Sequence, residues 1–171
     1  MLFSRFSLRV LIAALGAAAT LGPAQAQESP FVPVTDVVLD HPDPADWLRW
    51  RGDHSARGYS PLDQVNRQNV GKLGLAWAWA MEAGTQEQEP IVYQGVMYLP
   101  QPGNVVQALN AKTGELIWEY RRELPKDTSD GATRNIAIYQ DKIFLGTQDA
   151  YLVALDAKTG SVVWETRVAD Y

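Results

Sequence analysis

Short apolar segments separated by turn residues fill the chain from residue 74 onward. Each segment is only a few residues long and is bounded by Gly, Asn, Asp or Gln, or by a Lys-Thr-Gly turn. The segments are 75–80, 90–93, 96–99, 107–110, 116–120, 136–139, 142–145, 151–155 and 161–164. Runs of this length between turn residues are typical of strands in an antiparallel sheet. The pattern therefore predicts an all-β fold.

An internal repeat defines which all-β fold this is. The stretch ALNAKTGELIWE at 108–119 recurs as ALDAKTGSVVWE at 154–165, 46 residues later, and the strands before it recur at the same offset. A period of about 45 residues with four short strands is typical of β-propeller blades. We predict a propeller of four-stranded blades.

Each repeat contains a turn and an aromatic anchor. Gly114 and Gly160 would supply the positive φ of the turn into the last strand. Four residues later, Trp118 and Trp164 would lie on an outer strand and stack on the neighbouring blade. A closed propeller needs about four to eight blades. We therefore expect residues 74–171 to form a partial, open propeller with exposed apolar blade faces, from a fragment or a truncated product.

The N-terminal residues have the features of a targeting segment. Arg5 and Arg9 precede an apolar run at 10–19, and Ala24 and Ala26 provide the small residues that a signal peptidase recognises. We predict a signal peptide over 1–26, cleavage after Ala26 and a periplasmic mature chain. The apolar run is too short to span a bilayer, so we expect no membrane span after cleavage.

Residues 27–73 form a lead-in that is rich in proline. Because Pro30, Pro33, Pro42 and Pro44 block regular structure, we expect an extended segment with short helical turns. One turn is expected after Asp46 at residues 47–50, and another over 66–73.

Composition excludes several classes of function. The net charge of −5 gives no electrostatic reason to expect a nucleic-acid partner. The absence of cysteine excludes disulfides, a lipid anchor at the cleavage site, thiolate catalysis and Cys-based haem attachment. Two histidines are too few for a His-rich zinc site. Asp53-His54-Ser55 resembles a hydrolase set by composition only, since no nucleophile elbow surrounds it.

The lead-in and the repeats together resemble a known family. Asp46-Trp47, the stretch RGYSPLDQVN at 57–66, Asn69-Val70 and the Leu-x-Leu-Ala-Trp of 73–77 are similar to the N-terminal stretch of quinoprotein methanol and ethanol dehydrogenases. The Ala-x-Asn/Asp-x-x-Thr-Gly-x-x-x-Trp repeats resemble the tryptophan-docking motifs of their eight-bladed propeller. Non-catalytic propellers that bind outer-membrane proteins share the tryptophan motif, whereas the lead-in is more specific.

The resemblance implies an activity and its cofactors. Members of this family oxidise an alcohol, pass electrons into pyrroloquinoline quinone (PQQ) beside a Ca²⁺ or lanthanide ion, and deliver them to a c-type cytochrome. The metal acts as a Lewis acid on the quinone, and a carboxylate removes the alcohol proton. In the family, that carboxylate and the metal ligands lie beyond the position of residue 171, so we expect no catalytic residue and no metal ligand here.

Two positions match the family's cofactor contacts. Glu87, in the run 86–90, corresponds to a PQQ-contacting glutamate, with Glu89 as the alternative if the register slips. Arg134 corresponds to an arginine whose guanidinium pairs with a PQQ oxygen through two hydrogen bonds. Without the resemblance, Glu87 fits a solvated charge in a polar loop, and Arg134 fits a surface-loop arginine as well as a cofactor contact.

One departure from the family lies beside these positions. Methanol and ethanol dehydrogenases usually carry adjacent cysteines before the aspartate that corresponds to Asp130, whereas this chain has Thr128-Ser129. The departure indicates a cysteine-free branch of the superfamily. Thr147 follows an inner strand, but its pattern is that of turn chemistry and we assign it no role.

Three functions remain open from the sequence. The first is a periplasmic PQQ-dependent alcohol dehydrogenase of which this is the N-terminal part. The second is a non-catalytic envelope scaffold, which the absence of a lipidation cysteine disfavours. The third is an inactive truncated product.

Overall fold

The structure is a computed structural model that describes residues 30–128 and 131–170. The predicted signal peptide lies outside the described residues. From Phe31 onward the chain forms one compact unit. Its elements are α1 (Asp36–Asp40), a 3₁₀ turn (Val70–Lys72) and eight strands. The strands are β1 (Ile91–Tyr93), β2 (Val96–Gln101), β3 (Val105–Asn110), β4 (Leu116–Arg121), β5 (Ile136–Tyr139), β6 (Lys142–Gly146), β7 (Tyr151–Asp156) and β8 (Val162–Arg167).

The strands form two antiparallel sheets of four, β1-β2-β3-β4 and β5-β6-β7-β8. Each sheet follows chain order, so that β1 and β5 lie at one edge and β4 and β8 at the other. The two sheets share an irregularity: the register of the third and fourth strands shifts after Ala108 in one and after Ala154 in the other. The sheets are thus copies of one structural unit and do not close on themselves, which confirms the predicted partial propeller.

The turn of each repeat combines a side-chain cap with the positive-φ glycine predicted from the sequence. The side chain of Asn110 accepts hydrogen bonds from the backbone N–H groups of Lys112 (2.9 Å) and Thr113 (3.1 Å). Asp156 binds the equivalent turn in the same way, at 3.0 and 2.8 Å. Gly114 and Gly160 have φ values of +76° and +72°. These local bonds satisfy the turn backbone and direct the chain into the outer strand.

The core lies within and between the two sheets. It consists of apolar side chains from both sheets, and Tyr98, Val106, Ile143, Leu145 and Leu155 are among those that are almost fully buried. β1 and β6 bury alternate residues, whereas residues 105–109 of β3 are buried without interruption, so that both faces of this inner strand are covered.

Trp118, on outer strand β4, joins the first sheet to the second. It is 8% exposed, and its indole N–H donates to the carbonyl of Ala157 at 3.0 Å. Its ring covers Gly160, where an added Cβ would lie 2.5 Å from Trp118 Cε3. The predicted stacking of this tryptophan on the neighbouring blade is confirmed.

Trp77 makes the same contact one repeat earlier. Its indole N–H donates to Ala111 O at 3.1 Å, and its ring covers Gly114. Residues 75–80 were predicted to form a strand, but they pair with no strand among the described residues and Leu75 is 86% exposed. The segment therefore packs through its indoles against the first sheet, in the place that β4 takes on the second sheet.

The lead-in differs from the prediction at two places. α1 lies at Asp36–Asp40, between Pro33 and Pro42 rather than across them, and the Thr35 hydroxyl caps it at Val38 N, 3.5 Å away. The helical turn expected at Trp47 is absent. Trp47 instead forms a β-bridge with Val92, because the Asp46 side chain accepts a hydrogen bond from Gln94 N and so caps the β1–β2 turn instead of a helix. The turn predicted over 66–73 is confirmed in part as Val70–Lys72.

The repeat glycines permit a matched stability test. Gly160 and Gly95 both have φ above +70°, but a Cβ at Gly95 meets nothing within 4 Å. Gly95→Ala should therefore cost only backbone strain, about 1 kcal/mol. Gly160→Ala should cost about 2 kcal/mol more, because the methyl displaces Trp118. Urea unfolding of both variants measures the difference, and equal costs would contradict a close indole contact.

Candidate cofactor site

Four segments meet at one end of the two sheets, which we call the upper end. They are residues 82–90 before β1, the β2–β3 turn at 102–104, the β4–β5 loop at 122–135 and the β6–β7 turn at 147–150. Antiparallel order brings them together, since β1 and β3 begin at this end while β2 and β4 finish there, and the second sheet repeats the arrangement.

Glu87 and Arg134 are brought into contact at the upper end. Arg134 Nε lies 2.7 Å from Glu87 Oε2, although 47 positions separate the two residues in the sequence. The side chain of Glu87 remains 43% exposed and that of Arg134 remains 68% exposed. An exposed ion pair adds little stability, so this contact orients the two groups more than it holds the fold together.

Glu89, the alternative to Glu87, has a different environment. Its carboxylate accepts hydrogen bonds from the Trp47 indole N–H (2.6 Å) and the Arg51 backbone N–H (2.9 Å). Both contacts tie the lead-in to the strand entry. Glu89 therefore has a structural role in holding the lead-in, whereas Glu87 contacts Arg134.

A buried polar network holds the segment that carries Glu87. Gln107 is 5% exposed and bonds to the Trp79 indole (2.9 Å) and to Glu119 (2.7 Å). Gln101, which is fully buried, donates to Gln107 and accepts from the backbone N–H of Glu82 at 2.6 Å. Because buried amides are costly to leave unpaired, this network anchors the start of the segment.

A second network joins the sheets at the upper end. Arg122 lies 2.8 Å from both Asp149 Oδ2 and Glu165 Oε2, with its guanidinium 4.5 Å from the Tyr151 ring centroid. Burial alone would raise the pKa of Asp149, but hydrogen bonds from Arg122 and Thr147 outweigh burial and hold that pKa below its usual range. The side chains are only 13% and 6% exposed for Arg122 and Asp149, so this is a shielded ion pair.

Several buried polar atoms at the upper end lack a hydrogen-bond partner among the described residues. They come from all four segments, and they are Gln88 Oε1, Asn104 Nδ2, Thr128 Oγ1, Thr133 Oγ1 and Gln148 Oε1. Thr133 is 5% exposed and Asn104 is 1% exposed. Buried polar groups are nearly always paired in folded proteins. Their concentration at one end is the pattern expected of a polar ligand site.

The other residues considered as functional from the sequence either have structural roles or lie outside the residues that the structure describes. Thr147 bonds within its own turn, to Asp149 and to Tyr151 N, as expected of turn chemistry. Ser129 and Asp130 lie outside the described residues. His54 contacts Asp40 (3.0 Å) and Arg49, and Asp53 binds Arg57, so Asp53-His54-Ser55 does not assemble as a catalytic set.

Sequence reasoning missed Arg122, Asp149 and Gln148. Arg122 follows Arg121 directly, and nothing in the sequence distinguishes the buried arginine from its half-exposed neighbour. The position of Asp149 after Thr147 gave a weak signal of a stabilised turn. The Arg122–Asp149 pair joins two repeats and Gln148 bonds to a different loop, so only the packing of the sheets reveals these contacts.

The described residues contain no group of three or more His, Asp or Glu side chains placed to hold a metal ion. In the same part of the chain, no helix has the length and apolar character needed to cross a bilayer.

Comparison with known proteins supplies the family. Residues 47–165 match the family model described as "PQQ: Glucose/ethanol/alcohol dehydrogenase, beta-propeller domain". The chain is 39% identical over 119 residues to the dehydrogenase subunit of the quinone alcohol dehydrogenase from Gluconobacter oxydans (strain 621H). That match covers 69% of this chain and 16% of the relative.

Solved structures agree in fold. The quinohaemoprotein alcohol dehydrogenase from Comamonas testosteroni superposes with a TM-score of 0.67 at 36% identity, covering 71% of this chain and 19% of that one. A europium-containing methanol dehydrogenase superposes with a TM-score of 0.69 at 29% identity, covering 78% and 25%.

These matches define the membership and its extent. The family model covers well over half of the chain, and it includes both tryptophan contacts and both candidate cofactor residues. The chain spans a quarter or less of the length of these relatives. The chain belongs to the family of PQQ-dependent alcohol dehydrogenases.

Proposed function

We propose that this chain is the N-terminal part of a periplasmic PQQ-dependent dehydrogenase that oxidises an alcohol. The electrons pass from the cofactor to a c-type cytochrome or another acceptor. The name of the Comamonas relative, a quinohaemoprotein, supports a haem group as the next carrier. The contact between Glu87 and Arg134 at the upper end is the observation that carries the proposal.

The chemistry of PQQ suits this pair. PQQ is a planar tricarboxylate with two adjacent quinone carbonyls, so it needs cationic donors on its oxygens. Arg134 contacts Glu87 through Nε, which leaves the N–H groups of its terminal nitrogens to bind two oxygens of a planar acceptor. Arg122 is unsuited to this role, because Asp149 and Glu165 already engage it.

The unpartnered polar atoms of the upper end also fit a polar cofactor. They include a donor, Asn104 Nδ2, and two hydroxyls that donate or accept, Thr128 and Thr133. Carboxylate and carbonyl oxygens of a ligand are able to accept hydrogen bonds from these three groups, whereas Gln88 Oε1 and Gln148 Oε1 are acceptors and need a donor instead. The fit supports the assignment of this end to the cofactor.

Each candidate residue then has a defined task. When bound, PQQ supplies the two-electron acceptor of the reaction. Arg134 binds and orients its oxygens, and Glu87 holds the guanidinium of Arg134 in place. The general base and the ligands of a Ca²⁺ or lanthanide ion would come from other parts of the protein. The metal in the europium-containing relative supports such a requirement.

Replacing Arg134 tests the proposal. In the protein produced from its own gene, Arg134→Ala should weaken PQQ binding by about 10- to 100-fold, because one charge-assisted bidentate contact is lost. Titration of PQQ fluorescence quenching measures the dissociation constant. Arg167→Ala is the matched control, since Arg167 is also exposed and ion-paired but lies on outer strand β8. Equal affinities in Arg134→Ala and the control would remove Arg134 from the site.

A wild-type protein that binds no PQQ would overturn the proposed function itself. The non-catalytic scaffold would then be the better interpretation of the tryptophan repeats. The Glu87→Gln variant adds a finer test, since it keeps the size of the side chain and removes the charge facing Arg134. It should weaken PQQ binding by a smaller factor than Arg134→Ala.

A further inference from the structure

The β4–β5 loop carries Arg134, yet its described residues form no helix or strand. A loop of this length has many conformations of similar energy unless side chains restrain it. If Arg134 binds a cofactor, the loop has to be held where the guanidinium reaches it. The contacts that restrain the loop come from the neighbouring β6–β7 turn.

The neighbouring β6–β7 turn is well braced. Thr147 N donates to Tyr151 O at 2.8 Å, and the Thr147 hydroxyl accepts from Tyr151 N at 3.0 Å. Asp149 is 4% exposed and bound to Arg122. Gln148 N lies 3.3 Å from its acceptor, Asn104 Oδ1, in the first sheet. The backbone at Gln148 is thus tied to both sheets.

This turn forms hydrogen bonds to the β4–β5 loop at two points. At the start of the loop, the Arg122 Nε–H is shared between the two carboxylate oxygens of Asp149, each 2.9 Å from Nε. Gln148 Nε2 donates to the carbonyl of Gly131, three residues before Arg134. The first contact holds the entry of the loop, and the second holds the segment that leads to the candidate cofactor residue.

The lack of a side chain at Gly131 leaves room for the side-chain amide of Gln148. A Cβ at position 131 would lie 3.1 Å from Gln148 Nε2 and 3.6 Å from its Cδ. Contacts as short as 3.1 Å require the neighbour to move. The absence of a side chain at Gly131 therefore lets the amide approach the backbone. The same Nε2 makes the hydrogen bond to Gly131 O, so a side chain at position 131 would disturb that bond.

We infer that Gln148 is a positioning residue for Arg134. It fixes Gly131 through its side-chain amide and so restricts the 131–134 segment before the cofactor binds. Restraint in the free protein reduces the ordering cost of binding, and affinity rises accordingly. This inference rests on the proposed function, because Gln148 acts on the cofactor only through Arg134.

The test compares Gln148→Met with Gln140→Met in the protein produced from its own gene. Both variants remove a glutamine amide from a turn of the second sheet. Gln140, however, is exposed and lies at the opposite end. In the cofactor-free protein, amide hydrogen exchange within 131–134 should become about three- to tenfold faster in Gln148→Met only. The PQQ dissociation constant should rise by a similar factor, as expected for one lost neutral hydrogen bond.

Two further variants keep the test decisive. Gln148→Glu preserves the size of the side chain but removes the donor, and it should reproduce Gln148→Met. Gly131→Ala displaces the intact amide and should also speed exchange. Unchanged exchange and unchanged PQQ affinity in Gln148→Met would overturn the positioning role alone. Failure of the wild-type protein to bind PQQ would instead contradict the proposed function on which the role rests.

Discussion

Replacing Trp118 by alanine should destabilise the protein by about 3–5 kcal/mol. The ring is 8% exposed, lies 5.9 Å from the Tyr98 ring between centroids and covers Gly160 of the second repeat. Alanine would leave a large cavity where the ring packs against the turn of the second repeat. It would also remove the donor that satisfies Ala157 O. Urea-induced unfolding followed by circular dichroism measures the change.

Trp50→Ala is the matched control for Trp118→Ala. Trp50 is 55% exposed and stacks only on Arg51, at 5.4 Å from the ring centroid to the guanidinium carbon. Its loss should cost about 1 kcal/mol or less. Trp118→Phe separates the two contributions, since it keeps most of the ring and removes the N–H. A Trp118→Ala variant as stable as Trp50→Ala would show that the indole does not join the two repeats.

The repeat made the two sheets predictable from the sequence. Short apolar runs alternating with turn residues gave all eight strands, and the recurrence of Gly114 and Trp118 as Gly160 and Trp164 gave the unit that is repeated. Such signals are local, because each blade is built from consecutive strands joined by tight turns. The prediction for 75–80 was wrong for the same reason: a strand needs a partner, and no local pattern shows whether one lies among the described residues.

The lead-in was harder to predict because its structure depends on distant residues. Trp47 was expected in a helical turn, but it pairs with Val92, and Glu89 accepts its indole N–H. Propensity gave no indication of that pairing. α1 escaped prediction because five residues between two prolines give too little periodicity to detect, although Thr35 is a recognisable N-cap.

The candidate site was predictable only in part. Family resemblance pointed to Glu87 and Arg134, and their assignment to the cofactor stays a prediction until binding is measured. Their mutual contact could not be derived from spacing, since it depends on how the first sheet sits against the second. The roles of the supporting residues Gln101, Gln107 and Asp149 could not be predicted for a further reason. A buried polar side chain has the same letter as an exposed one, and burial is set by the tertiary fold.

The shielded ion pair between Arg122 and Asp149 should contribute strongly to stability. Asp149→Asn keeps the shape of the side chain but leaves Arg122, 13% exposed, with Glu165 as its remaining carboxylate. Loss of one partner of a buried pair leaves the other charge without full compensation. We therefore expect the free energy of unfolding to fall by about 3 kcal/mol at pH 7. Asp170→Asn breaks the Arg167 pair, in which Asp170 is 98% exposed, and should cost less than about 0.5 kcal/mol.

Acid should remove the same stabilisation from the wild-type protein. The pKa of Asp149 is lowered in the folded state, so the folded protein binds this proton more weakly than the unfolded chain does. Its contribution is therefore complete above the unfolded value of about 3.9 and is lost as the pH falls through the lower folded value. Urea unfolding at pH 7 and at about pH 3 should show a smaller loss on acidification for Asp149→Asn than for wild type or Asp170→Asn. If Asp149→Asn and Asp170→Asn are equally stable at pH 7, the Arg122–Asp149 pair does not hold the two repeats together, and other contacts such as the packing of Trp118 on Gly160 carry that role.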